Sequence, residues 1–102
     1  MKINIVKPVL PDIDLVSPEF AKSLESGLVT NNSKHVLEFE KNLQHYLSSK
    51  LLPVCYNNGE MALFSLIQAW KTKLGYGPFD SFDVLVPSFT FSGTLNAIVM
   101  NN

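Results

Sequence analysis

The sequence predicts an α/β fold: helices around a partial, mostly parallel sheet, preceded by an extended N-terminal arm. Three observations predict it. Two short apolar runs of strand type, 53–56 and 83–86, each pass through a turn into a helical pattern, the order that gives parallel strands with crossover helices. Apolar residues recur at helical spacing between and after these runs. Finally, 46% apolar and 11% aromatic residues supply a core, while 17% charged residues, below the roughly 25% of average chains, argue against disorder.

Residues 1–16 read as the extended arm, because Pro8 and Pro11 oppose helix while Val9, Leu10, Ile13 and Val16 offer apolar anchors. Ser17-Pro18-Glu19 then reads as a helix start, with a hydroxyl cap, proline in the first helical position and an acid near the positive end of the dipole. Gly27 suits the left-handed stop. Residues 30–33 are rich in turn formers, and Ser33 can cap a second helix, whose stripe is Val36, Phe39, Leu43, Tyr46 and Leu47.

The strand 53–56 leads through Asn57-Asn58-Gly59 to a third helix from about Glu60, with Leu63, Leu66, Ile67, Trp70 and Leu74 on one stripe. Gly75-Tyr76-Gly77-Pro78 stops it. The strand 83–86 is closed by Pro87, and a fourth helix starts near Ser92-Gly93-Thr94. Two strands alone would leave open edges and uncovered faces. The chain also ends two asparagines after Met100, where another strand is expected. Residues 1–102 therefore read as a single incomplete domain, the arm at 1–16 and the start of an α/β domain at 17–102.

Composition excludes several functions. Eight lysines against nine acids give a net charge of −1, with no basic stripe for nucleic acid. A single cysteine, Cys55, makes neither an internal disulfide nor a zinc site of the usual Cys-rich kind, and no metal site is expected. The apolar run before Pro8 is too short for a signal peptide, and nothing approaches a membrane span. A reducing, soluble, cytoplasmic setting is expected.

Two turns carry candidate chemistry. At 57–59 the first N–H groups of the following helix point outward and its dipole adds about half a positive charge, which makes an anion seat; Gly59 lets a ligand approach the backbone. The plain alternative is an ordinary strand-to-helix turn with Asn58 as N-cap. At 87–91, just past an apolar strand, Phe89 and Phe91 alternate, so one ring can face the core and the other a crevice, where it could stack on a flat heterocycle. The plain alternative is that both rings are core. His35 and His45 read as a solvated helix face, Cys55 as a packed thiol and Trp70 as core.

Leu24-Glu25-Ser26-Gly27, Val36-Leu37-Glu38-Phe39-Glu40, Asn58-Gly59-Glu60-Met61-Ala62-Leu63 and Asp83-Val84-Leu85-Val86-Pro87-Ser88-Phe89-Thr90-Phe91 follow in order and at suitable spacing. Together they resemble the start of the DegT/StrS family of pyridoxal-phosphate-dependent sugar aminotransferases, over about residues 8–100. The resemblance implies the N-terminal part of the aspartate-aminotransferase-like large domain (fold type I of the pyridoxal-phosphate enzymes). It implies that Gly59, Glu60 and Met61 hold the phosphate of pyridoxal 5′-phosphate and that Phe91 stacks on its ring. Further implications are glutamate as amino donor, a nucleotide-linked keto-sugar as acceptor, and a homodimer with shared sites.

Two departures stand out. Glu60 occupies the place where the family has threonine; a carboxylate only accepts hydrogen bonds, and at about 4 Å it would repel phosphate by roughly 1–4 kcal/mol. As a first-turn acid it would instead stabilise its helix by about 0.3–1 kcal/mol. Asn32-Ser33 stands where the family commonly has Gly-Pro, and asparagine tolerates the left-handed region. No catalytic residue is assigned, since none of Lys34, Lys41, Lys50, Lys71 or Lys73 matches the family's lysine motif. The segment alone is therefore not expected to catalyse transamination. Two rivals remain: a catalytically inactive, family-derived binding or regulatory module, and a small α/β domain that shares only the fold.

Overall fold

The computed structural model describes residues 6–101 and contains four helices in the order α1 (Ile13–Ser26), α2 (Lys34–Tyr46), α3 (Gly59–Lys73) and α4 (Ser92–Val99). Two compact units divide between Ser48 and Ser49, with α1 and α2 in the first and α3 and α4 in the second. No helix among the described residues is long and apolar enough to cross a membrane.

The expected sheet is not formed. Among the described residues there is no strand, so the α/β fold with a partial parallel sheet, and the aspartate-aminotransferase-like sheet that the resemblance implied, are corrected to an all-helical architecture. The reason is physical: a strand exists only by exchanging backbone hydrogen bonds with a neighbour. Segments 53–56 and 83–86 make no such ladder. The second nonetheless keeps a period of two in its burial, with Phe82, Val84 and Val86 half-buried while Leu85 is fully exposed.

In the first unit, α1 begins earlier than the arm and Pro18 predict. Asp12 is its N-cap and its Oδ1 accepts the Asp14 N–H at 3.0 Å, so the extended arm reaches no further than Asp12, and residues 1–5 of that arm lie outside the described residues. Pro18 consequently sits inside the helix rather than at its start. The carbonyl it leaves without a helical donor belongs to Asp14, which is exposed and can bond water. Gly27 ends α1 in the left-handed region at φ 69°, as expected, and its N–H bonds the Leu24 carbonyl at 3.1 Å. Asn32 adopts φ 58°, and Ser33 takes the N-cap position of α2 without a side-chain hydrogen bond. The buried side chain of α2 is Glu40, whereas Phe39 and Tyr46 of the expected stripe are exposed.

In the second unit, α3 packs on α4. The face of α4 that meets α3 carries Gly93, Ala97 and then Asn101, one helical repeat apart and all buried; Ala97 is the buried apolar side chain among the described residues. On α3, Glu60 approaches Gly93, while the Phe64 carbonyl and the Lys71 ammonium bond Asn101 just past α4; the three lie on one face of α3. The stripe read from sequence is centred about a quarter turn away, at roughly 100° per residue: Leu63, Leu66, Trp70 and Leu74 are exposed and Ile67 is half-buried. Trp70, read as core, is 51% exposed, with the Lys73 ammonium 4.8 Å above its ring. Three groups close the far end of the pair. Lys71 Nζ donates to the Asn101 carbonyl at 2.6 Å and lies 5.3 Å from the Phe82 ring, which meets Tyr76 at 5.9 Å.

Candidate functional site

The near end of the α3–α4 pair forms a half-open cavity of about 590 Å³ lined by residues of both expected turns. Asn58 is the N-cap of α3, with extended backbone that leaves its side chain free to turn back, and its Oδ1 accepts the Met61 N–H at 2.9 Å. From this start, Asn58, Gly59, Glu60, Ala62, Leu63 and Leu66 reach the cavity wall. A Cβ on Gly59 would meet nothing within 4 Å, so the backbone there is open to close approach.

The opposite wall comes from the start of α4. Phe91 holds the N-cap position but has no side-chain acceptor, and Gly93 and Thr94 follow in the first turn. Thr90 and Thr94 hydroxyls lie 3.2 Å apart. Gly93 marks where the walls meet: a Cβ there would come within 2.9 Å of Glu60 Oε2 and 3.1 Å of the Phe91 ring carbons. Glu60 carboxylate, Gly93 backbone and Phe91 ring are thus neighbours.

Of the residues singled out in the sequence, Gly59, Glu60 and Phe91 line this one cavity. Met61 does not, and its N–H is engaged by Asn58. Phe89 is 98% exposed and away from the cavity wall, so neither the core nor the crevice holds it. His35 and His45 are exposed and Cys55 is half-buried. Among the described residues no group of acids, histidines and cysteine is gathered to hold a metal ion.

Sequence reasoning missed Ala62, Leu63, Leu66, Gly93 and Thr94. Helical spacing from Gly59 points to 62, 63 and 66 on one side, and Gly93 stands in the first turn of a helix, where a glycine admits a neighbour closely. The cavity can accept a flat, largely apolar body against Leu63, Leu66 and Phe91, with polar backbone at one end and a single ionised group, Glu60.

Residues 14–102 match the model of the DegT/DnrJ/EryC1/StrS aminotransferase family. No curated protein and no solved structure matches the chain.

Proposed function

The chain belongs to the DegT/DnrJ/EryC1/StrS aminotransferase family, and from that premise we propose that its second unit supplies part of a pyridoxal 5′-phosphate site in a sugar aminotransferase. The observation that carries the reading is that Gly59, Glu60 and Phe91, from two separate turns, share the wall of one cavity.

The residues fit the group's ring well and its phosphate on a condition. The open backbone at Gly59 and the first-turn N–H groups of Gly59 and Glu60 would hold the phosphate, and Met61, already bonded to Asn58, contributes no donor. Phe91 would stack on the ring, while Leu63 and Leu66 exclude water from its flank. The condition is that the Glu60 carboxylate leaves the phosphate's side of the cavity. When bound, the group supplies the electron sink that lets an amino group pass from donor to carbonyl acceptor.

None of the described lysines lines the cavity, so none of them is placed there to serve as the reacting amine. The proposal extends to the family's reaction: glutamate as donor, a nucleotide-linked keto-sugar as acceptor, and a cytoplasmic homodimer that completes the site. A second reading, a binding module without catalysis, is favoured by the carboxylate of Glu60 within the cavity.

The test uses pyridoxamine 5′-phosphate, whose lack of an aldehyde avoids adducts with the eight lysines. Titrated into the isotope-labelled chain, it is expected to shift the amide signals of residues 59–60 and the ring signals of Phe91 saturably. Shifts confined to other residues, or none, overturn the reading.

A further inference from the structure

Among the described residues, Glu60 is the only charged one on the cavity wall, and it stands between the starts of two helices that are capped differently. Helix α3 has its own acceptor, Asn58 Oδ1 on the Met61 N–H. Helix α4 has no side-chain acceptor from its N-cap residue, since the Phe91 ring offers none; only the Phe91 carbonyl serves this turn, accepting the Thr94 N–H at 3.0 Å. Over the first turn of α4, at the buried Gly93, lies Glu60 Oε2, 2.9 Å from the point a Cβ would occupy. The glycine is what makes this approach open: any side chain there would press on the carboxylate.

We infer that Glu60 serves α4 as an anion lent by the neighbouring helix, and that it thereby sets the specificity of the cavity against phosphate. The positive end of α4 is already supplied with negative charge, and the dipole favours that placement. Gly59 and Glu60 line the same cavity, so a phosphate entering beside Gly59 meets this half-buried carboxylate as a like charge, and partial burial makes the repulsion stronger than in water. A ligand with the same ring and no phosphate meets no such opposition. Glu60 thus makes entry of a phosphorylated ring depend on the carboxylate swinging away, and leaves the dephosphorylated ring unaffected. The inference rests on the cofactor-site reading and adds to it a residue that selects among ligands of one ring.

The experiment compares the chain with Glu60→Gln and, in case that variant folds poorly, Glu60→Thr. Dissociation constants are measured for pyridoxamine 5′-phosphate and for pyridoxamine, and amide hydrogen exchange is followed at Ser92, Gly93 and Thr94 without ligand. Either substitution is expected to tighten the phosphate ligand on the order of tenfold or more, to leave pyridoxamine unchanged, and, in the glutamine variant, to speed exchange in the first turn of α4. Equal affinity of wild type and variants for pyridoxamine 5′-phosphate overturns the inference while the cofactor site stands. Equal tightening of both ligands also overturns it, since the effect is then not on phosphate. Unchanged exchange at 92–94 removes the lent-anion role. Failure of every form to bind either ligand overturns the cofactor site itself, and with it the selectivity.

Discussion

Lys71 donates from Nζ to the backbone carbonyl of Asn101 at 2.6 Å, across thirty residues of sequence, and is 2% exposed. No carboxylate makes a salt bridge with it among the described residues. Its neighbours are the Pro78 carbonyl at 3.5 Å, the Phe82 ring and the C-terminal end of the α3 dipole. Asn101 in turn donates from Nδ2 to the carbonyls of Ala97 at 2.6 Å and Phe64 at 3.2 Å, so two residues tie both helices and the intervening loop.

Replacing the ammonium tests how much this tie contributes. An ammonium-to-carbonyl bond is worth about 1.5–3 kcal/mol, and a buried carbonyl left without a donor costs about 1–3 kcal/mol. Some of this is offset because a buried charge is removed. Lys71→Met, which keeps the stem, is expected to destabilise the second unit by about 1–3 kcal/mol. Denaturant unfolding followed by Trp70 fluorescence measures it, and an unchanged midpoint would show that the tie contributes nothing.

The Asn58 cap gives a local prediction. Removing an N-cap acceptor costs about 0.5–2 kcal/mol. Asn58→Ala should therefore speed exchange of the Met61 amide, its present partner, about threefold to thirtyfold, whereas Asn58→Asp should retain protection.

Glu19 titrates abnormally for a nearby reason. The Lys22 ammonium, hydrogen-bonded and ion-paired with it, holds its carboxyl below the usual 4.5, with smaller contributions from His35 and Lys34. A carboxyl depressed in the folded state contributes stability above its ordinary range and loses that contribution as pH falls through its folded value. The group is fully exposed, so the effect on stability is small. Carbon-detected titration should place the Glu19 midpoint below 4.5, and Lys22→Ala should move it upward; an unmoved midpoint would show the pairing to be absent in solution.

Gly93→Ala sets two effects against each other. Alanine gains about 1 kcal/mol of helix propensity over glycine. Its methyl would lie 2.9 Å from Glu60 Oε2 and 3.1 Å from Phe91 Cδ1 and Cε1, all ends of side chains that can turn aside. Stability is expected to stay within about 1 kcal/mol of wild type, while the Phe91 ring and Glu60 carboxyl resonances shift. Resonances that stay in place would mean that neither side chain rests there.

Helix positions were legible because their signals are local. Gly27 and Asn32 in the left-handed region, Asn58 before α3 and the start of α4 at Ser92 all depend on a few adjacent residues. Ser17 was read as the cap of α1, but Asp12, five residues earlier, caps it and Pro18 falls inside the helix. Strand 53–56 and strand 83–86 failed because a ladder is a property of two segments, and sequence pattern reports one at a time. The same holds for packing. The stripe at Leu63, Leu66, Ile67, Trp70 and Leu74 was read as the packing side of α3, yet Glu60 is the α3 residue that approaches Gly93 of α4, and Phe64 and Lys71 bond Asn101 just beyond it. Gly59 could be singled out from turn chemistry, whereas Glu60 and the choice of Phe91 over Phe89 came from the family resemblance; Lys71, set aside for lacking a motif, became informative only when its burial was visible.

The empty space around Gly59 separates two kinds of constraint. Because none of the described residues comes within 4 Å of a methyl placed there, Gly59→Ala intrudes on no atom among them, and only a guest lying against that stretch of main chain would feel it. Position 59 is therefore a silent spot for folding and an obstructed doorway for any visitor.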